Sequence, residues 1–311
     1  MNIVFMGSAD FGLPVLEKLL QSEHSITGIV STPEKEKGRG LKPALSPVVQ
    51  FSKLRGLGPI LTPEQLNTPE FVRALLTLNA DIFIVVAFRI LPKSVFTLPA
   101  LGTVNIHASL LPQYRGPAPI QRAIAAGESQ TGITIFRIDE GIDTGTVILQ
   151  KSVAIGENET TPQLYERLSL LGAESIMEAV SVLQRGDAVL TKQDASKASR
   201  APKLLKAEGN IDWNLPARSI YNAVRAFKPF PGSFSFLQGR RIGIEWAIPI
   251  ESGIAAAPGA IFGIGENGID VQCGTGGLRI TDVKPEGKNT MSAMAFAAGR
   301  NIAIGCTFAG K

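Results

Sequence analysis

The chain has 311 residues, 44% hydrophobic and 19% charged, with a formal net charge of +4. That is more length than one domain of about 100 to 200 residues needs, so two domains are expected, each able to bury a core. No apolar run approaches the ~20 residues of a membrane span. With only Cys273, Cys306 and two histidines, a disulfide framework and a Cys/His metal cluster are excluded, and no metal is expected. The start, M-N-I-V-F-M-G, reads as a strand and not as a signal peptide, which makes the cytoplasm the expected location.

Strand-like and helix-like segments alternate from the beginning. Asn2 to Met6 precedes a helix over Phe11 to Gln21, Ser25 to Ser31 precedes Pro47 to Leu54, and Thr68 to Leu78 feeds the apolar run Asp81 to Phe88. This βαβ rhythm implies a parallel sheet covered by helices. The turn G-S-A-D-F-G, Gly7 to Gly12, keeps only the outer glycines of a dinucleotide fingerprint, with Ala9 between them. It reads as a tight strand-to-helix turn, and NAD is not expected. Gly102 to His107 is the next strand, then a Pro119 to Ala126 helix, strands Gly132 to Ile138 and Thr146 to Ala154, and a long helix Thr161 to Gln184 opened by Thr160-Thr161-Pro162.

Residues 188–210 are polar and aperiodic and read as a linker. Beyond it come a helix, Ala217 to Phe227, and short β-patterned stretches: Ser233 to Leu237, Arg241 to Ile248, Ala260 to Gly263, Ile269 to Cys273, Leu278 to Val283 and Ala293 to Phe296. Such spacing suggests a small barrel of the OB type, a fold that often binds nucleic acid. Charge divides in the same place. Residues 1–187 carry 16 Lys+Arg against 18 Asp+Glu, a net −2, and residues 188–311 carry 15 against 9, a net +6. A polyanionic partner or a plain solvated surface would both account for that bias.

One histidine demands an explanation. Asn105 and His107 alternate onto the same face of their strand, and the carboxyl end of a parallel strand is where open α/β sheets bind ligands. A lone histidine is more often a hydrogen-bonded core residue. The neighbouring amide and the following Leu110-Leu111-Pro112 favour a site instead. Asp143, in the loop D-E-G-I-D-T-G, reads by itself as a turn residue. The loop Thr32 to Pro47 is long for an α/β connection, and such loops are functional or merely solvated.

Taken together, N-I-H-A-S-L-L-P-Q-Y-R-G-P-A-P-I-Q-R-A-I from Asn105 and the Asp143 that follows His107 by 36 positions resemble the signature of folate-dependent formyltransferases. The resemblance spans the chain, through I-V-F-M-G-S-A-D-F-G-L-P-V-L, K-G-R-G-L-K-P, R-A-F-K-P-F-P-G, V-Q-C-G-T-G-G-L-R-I and G-K-N-T-M-S-A-M-A-F-A-A-G, the last three being similar to the branch of the family that acts on tRNA. It implies an α/β architecture: a Rossmann-like formyltransferase domain with a mostly parallel sheet over 1–187, the basic linker 188–210, and an OB-like β-barrel tRNA-binding domain over 211–311. It further implies 10-formyltetrahydrofolate as formyl donor and initiator methionyl-tRNA as acceptor, and a monomer is expected. Formyl transfer to an amine passes through a tetrahedral oxyanion and needs proton transfer. By resemblance, Asn105 and His107 donate to that oxyanion and Asp143 orders a water. Phe88, Ile90, Leu91, Pro92, Ser109, Leu110, Leu111 and Pro112 line the folate pocket, and Arg39, Lys42, Lys197, Arg200, Lys203 and Lys206 contact tRNA. Two stretches depart from the family pattern: A-F-R-I-L-P at Ala87 to Pro92, where A-Y-G-x-I-L-P is usual, and Glu34-Lys35-Glu36-Lys37, where D-R-P-A is usual. A formyltransferase for a small amine, a formyl-folate hydrolase, and a nucleic-acid-binding protein with an inactive enzyme domain are the rival readings.

Overall fold

The computed structural model describes residues 1–37 and 42–309. In chain order it contains β1 (Asn2–Gly7), a 3₁₀ turn (Asp10–Gly12), α1 (Leu13–Leu20), β2 (Ser25–Val30), β3 (Lys35–Lys37), β4 (Lys42–Ala44), α2 (Pro47–Leu54), β5 (Ile60–Leu61), α3 (Pro69–Leu76), β6 (Ile82–Val86), α4 (Lys93–Phe96), β7 (Thr103–His107), α5 (Pro119–Ala126), β8 (Gln130–Arg137), β9 (Val147–Ala154) and α6 (Thr161–Arg185). There follow α7 (Ala217–Ala226), β10 (Ser233–Leu237), β11 (Arg240–Ile250), β12 (Ile261–Gly265), β13 (Gly268–Gln272), β14 (Gly277–Pro285), β15 (Met291–Ser292), α8 (Ala293–Ala298) and β16 (Phe308–Ala309). Two compact units form. One holds Met1–Pro119, Gln130–Ala154 and Tyr165–Ala201; the other holds Ile120–Ser129, Ile155–Leu164 and Pro202–Lys311. The units interleave along the chain, and residues 188–210 are divided between them after Ala201.

The first unit is built on a sheet of order β5-β2-β1-β6-β7-β8-β9. Its centre is parallel, and β6 is buried at all five positions, as expected of a strand covered on both faces. The expected mostly parallel sheet is observed, the exception being β8, which runs antiparallel to both β7 and β9. The β9 edge shows why: its side chains alternate between partly covered and exposed, which suits a strand with one wet face. Helix starts follow local rules. Ser46 Oγ accepts from Val49 N at the head of α2 and Thr68 Oγ1 from Phe71 N at the head of α3, each followed by proline at the first helical position. The long loop after β2 holds a small hairpin, β3 with β4, that periodicity did not reveal.

The second unit is an antiparallel sheet of order β12-β13-β14-β11-β10-β16, with β15 added to β14. Its ends meet. Phe308 N donates to Gly259 O at 2.8 Å, Gly305 N to Ile261 O at 2.9 Å, and Ala260 bridges Thr307, so the sheet closes on itself and leaves no long open edge there. Trp213, Tyr221, Ile280 and Phe308 fill the interior, and Trp213 Nε1 donates to Ser235 Oγ. Burial pushes the Cys273 thiol up to about 12, consistent with a packing role. The expected strand Ala293 to Phe296 is instead the helix α8. Alanine-rich A-M-A-F-A-A favours a helix, and Ser292 Oγ caps it by accepting from Ala295 N at 3.2 Å. Among the described residues, no helix is long and apolar enough to cross a membrane.

The closing seam generates a test. Gly259 has φ +88°, and a Cβ there would lie 2.2 Å from Phe308 O. Gly259→Ala is therefore expected to cost about 2 kcal/mol or more of unfolding free energy. Urea unfolding of the full chain, followed by the fluorescence of Trp213 and Trp246, both at the core of this unit, reads it; an unchanged midpoint would show that the seam does not contribute.

Candidate active site

Register places the central residues. Asn105 of β7 pairs with Val85 of β6 on one side and Phe136 of β8 on the other. The three side chains therefore share one face of the sheet, and all three wall the same cavity. That cavity, about 100 Å³, is completed by Phe88, Arg89, Ile90 and Leu91 after β6 and by Ile138, Asp139, Gly141, Ile142 and Asp143 after β8. Ile90 and Ile142 stand exposed at its mouth. A larger hollow of about 510 Å³ in the same unit, lined by residues 60–65 and by Thr68, Glu70 and Phe71, holds neither histidine and no strained residue.

His107 lies one step beyond Asn105 on the same face and is buried. Its Nε2 is 2.8 Å from Tyr114 O, and since a carbonyl only accepts, Nε2 carries a proton. Its Nδ1 faces Asp143 Oδ2 across 3.6 Å, too far for a direct hydrogen bond. In the neutral ring that nitrogen is an acceptor, as is the carboxylate. Two acceptors facing one another call for a donor between them or a second proton on the ring. Asp143 Oδ2 also accepts from Gly116 N at 2.8 Å, which fixes the carboxylate to the loop after β7.

The backbone here is strained. Of the six described non-glycine residues with positive φ, the three that are neither Asn nor Gln are Ala87, Tyr114 and Asp143, at φ 48°, 59° and 53°. Ala87 begins the cavity loop, Tyr114 supplies the carbonyl for His107, and Asp143 is the carboxylate itself. Such conformations cost of order 1–3 kcal/mol each and persist only where surrounding contacts enforce them.

The contacts come partly from residues 193–201. Ser199 N donates to Pro112 O, Arg115 N to Ser199 O, Ala201 N to Arg115 O and Ala118 N to Ala201 O, while Ser199 Oγ accepts from Tyr114 N. Gln193 Nε2 donates to both Asp143 O and Gly145 O. Nothing in the sequence of this polar segment distinguished Gln193 or Ser199.

The other expected site residues divide. Phe88, Ile90 and Leu91 line the cavity, and Pro92 does not. Arg89, in the departing A-F-R-I-L-P stretch, anchors the loop by donating to Pro63 O and Glu64 O, and burial lowers its pKa from the usual range. Ser109, Leu110, Leu111 and Pro112 are not brought to the cavity. Their polar groups are spent inward: Thr134 Oγ1 donates to Ser109 O, Leu111 N donates to Thr134 Oγ1, and Gln150 Nε2 donates to Leu111 O. Among the basic residues, Arg39 lies outside the described residues, and only the backbone of Lys42 is described, in β4. Lys197, Arg200, Lys203 and Lys206 are all exposed, with Lys197 3.6 Å from Asp194. Glu208, the nearest acid after them, is taken up by Arg122, whose hydrogen bonds hold its carboxyl below the usual glutamate range. Among the described residues no three His, Cys, Asp or Glu side chains converge to hold a metal ion.

Comparison with known proteins gives the family. The Formyl transferase profile matches residues 1–180 and the Formyl transferase, C-terminal domain profile matches residues 203–301, so the chain belongs to the formyl transferase family. It is 41% identical over 307 residues to the methionyl-tRNA formyltransferase of Geobacter metallireducens, covering 98% of this chain and 97% of that protein. The fold is similar to that of the Clostridium thermocellum methionyl-tRNA formyltransferase (TM-score 0.54, 19% identity, 89% of this chain and 100% of that one). It is also similar to an N-formyltransferase from Helicobacter canadensis solved with folinic acid and dTDP-3-aminofucose (TM-score 0.65, 18% identity, 89% and 98% covered).

The paired strand 199–201 can be tested by itself. Gly116 has φ +124°, and a Cβ there would sit 2.6 Å from Ala201 O. Gly116→Ala is expected to loosen 199–201, raising tryptic cleavage after Lys197 and Arg200 by about tenfold, since local opening sets access. Cleavage at the wild-type rate would mean the pairing does not restrain the segment.

Proposed function

We propose that the protein transfers the formyl group of 10-formyltetrahydrofolate to the α-amino group of methionine esterified to initiator tRNA, in the cytoplasm, for translation initiation. The observation that carries this reading is that Asn105 and Asp143 line one cavity while His107 Nδ1 faces the Asp143 carboxylate across 3.6 Å, in a chain whose relatives over nearly its full length bear the name methionyl-tRNA formyltransferase. The apolar walls formed by Phe88, Leu91 and Phe136 suit a flat ring, and the Asp139 carboxylate suits a polar edge of it. When bound, the formylated folate supplies an activated formyl carbon and a nitrogen leaving group. Asn105 donates its amide N–H to the formyl oxygen as negative charge grows there, and one such donor is typically worth about 10² to 10³ in rate. His107 and Asp143 receive the amine: an N–H directed at Nδ1 and Oδ2 satisfies both acceptors as the amine nitrogen bonds to the formyl carbon, and the proton it sheds passes through them or a water to the folate nitrogen, which leaves as its bond to the formyl carbon breaks. The exposed Lys197, Arg200, Lys203 and Lys206 give the acceptor's phosphates a place to bind. A small amine acceptor would leave that basic segment and the second unit without a role.

Two experiments test the reading. His107→Ala and Asp143→Asn are each expected to lower kcat for Met-tRNA formylation by about 10² or more while the protein stays folded. A variant turning over at the wild-type rate removes that residue from the mechanism. Replacing Lys197, Arg200, Lys203 and Lys206 by alanine is expected to flatten the salt dependence of tRNA binding, by roughly 0.7 to 0.9 in the log–log slope per lost phosphate contact. An unchanged slope would move the tRNA surface elsewhere.

A further inference from the structure

We propose that Gln193 is a positioning residue for the reaction, holding Asp143 in the strained conformation that presents its carboxylate to His107. The inference rests on the formyl-transfer reading of the site. Gln193 is buried, and its amide has no spare capacity. Both Nε2 protons are used, on Asp143 O at 2.9 Å and Gly145 O at 2.8 Å. Both Oε1 lone pairs are used as well, by Arg115 Nε at 3.1 Å and Arg115 Nη2 at 2.7 Å. One side chain thus ties the two loops that make the site. The first, through Arg115, lies between Tyr114, which holds His107, and Gly116, which holds the Asp143 carboxylate. The second is Asp143 itself, at φ 53°.

Within the loop, Thr144 Oγ1 and Gly141 N donate to Asp139 Oδ1, and neither bond reaches the Asp143 carbonyl, which Gln193 holds. Asp143 is neither glycine nor asparagine, and a left-handed residue in an exposed loop relaxes unless neighbours enforce it. Gly145 follows closely, where a Cβ would lie 1.7 Å from Arg137 O, so the loop is also pressed against the end of β8. With Gln193 truncated, the Asp143 and Gly145 carbonyls and the Arg115 guanidinium lose their partners together. The carboxylate then leaves its 3.6 Å relation to Nδ1. Displacement of a reacting group by about 1 Å is typically worth about 10² in rate.

The test combines kinetics with one resonance. Gln193→Ala is expected to lower kcat about 10²-fold while KM for both substrates stays within about twofold, because it alters a transition-state group and not substrate binding. Combined with Asp143→Ala, it should bring no further loss, since a positioning residue has nothing left to position. In ¹⁵N-glycine-labelled protein, the Gly116 amide, bonded to Asp143 Oδ2, should move in Gln193→Ala toward its position in Asp143→Ala. Gln193→Glu, which keeps the shape and the Arg115 contacts but loses both donors, serves if the alanine variant does not fold, with the same loss expected. A wild-type kcat, or a full independent loss on the Asp143→Ala background, overturns the inference. Should the wild-type protein transfer no formyl group, the proposed function fails, and the Gly116 resonance alone decides the positioning: no movement overturns it.

Discussion

Everything in the site depends on the Asp143 carboxylate being held against His107 without bonding to it. A separation of 3.6 Å between Oδ2 and Nδ1 leaves two acceptors facing each other, a gap suited to a donor. If they touched, the ring proton would be committed to an internal pair. If the carboxylate drifted into solvent, the imidazole would lose its partner. The gap exists because each side is fixed separately, His107 by the Tyr114 carbonyl and Asp143 by the Gly116 amide, and both anchors belong to one loop.

That loop is braced from far along the chain. Residues 193–201 pair with 112–118 and reach Asp143 through Gln193, so a segment whose composition says only that it is polar and basic forms part of the wall behind the chemistry. Its outer side chains, Lys197 and Arg200, stay exposed. The same stretch thus faces the site through backbone and amide groups and faces solvent through its charges. A tRNA bound on those charges, as proposed, would rest on the residues that hold the Asp143 carboxylate.

The parts legible in the sequence were those set by local rules or strict alternation. The helices expected over Pro47 to Leu54 and Thr68 to Leu78 are found there, and the uninterrupted apolar run of β6 marked a buried strand. Asn105 and His107 had to share a face. Asp143 became a site residue only through its family motif, since Asp-Thr-Gly by itself describes a turn. What tertiary contacts decide was not legible. The antiparallel β8 and β9, the interleaving of the two units and the role of Gln193, fifty positions from Asp143, follow no short-range pattern. Nor was the inward use of Ser109 to Leu111, whose backbone groups are claimed by Thr134 and Gln150 on neighbouring strands. At Ala293 a barrel expectation overrode helix propensity and a serine cap, and the propensity was the better guide.

The proposed reaction moves a formyl group from folate to an aminoacyl-tRNA, and its acceptor is what most separates it from the alternatives. The decisive measurement supplies the wild-type protein with carbon-labelled 10-formyltetrahydrofolate and a mixture of methionyl-tRNA, glycinamide ribonucleotide and a nucleotide-linked amino sugar, then locates the label. The label is expected on the α-nitrogen of tRNA-bound methionine, with neither small amine competing. Label on a small amine, or released as free formate while methionyl-tRNA stays unmodified, would contradict it.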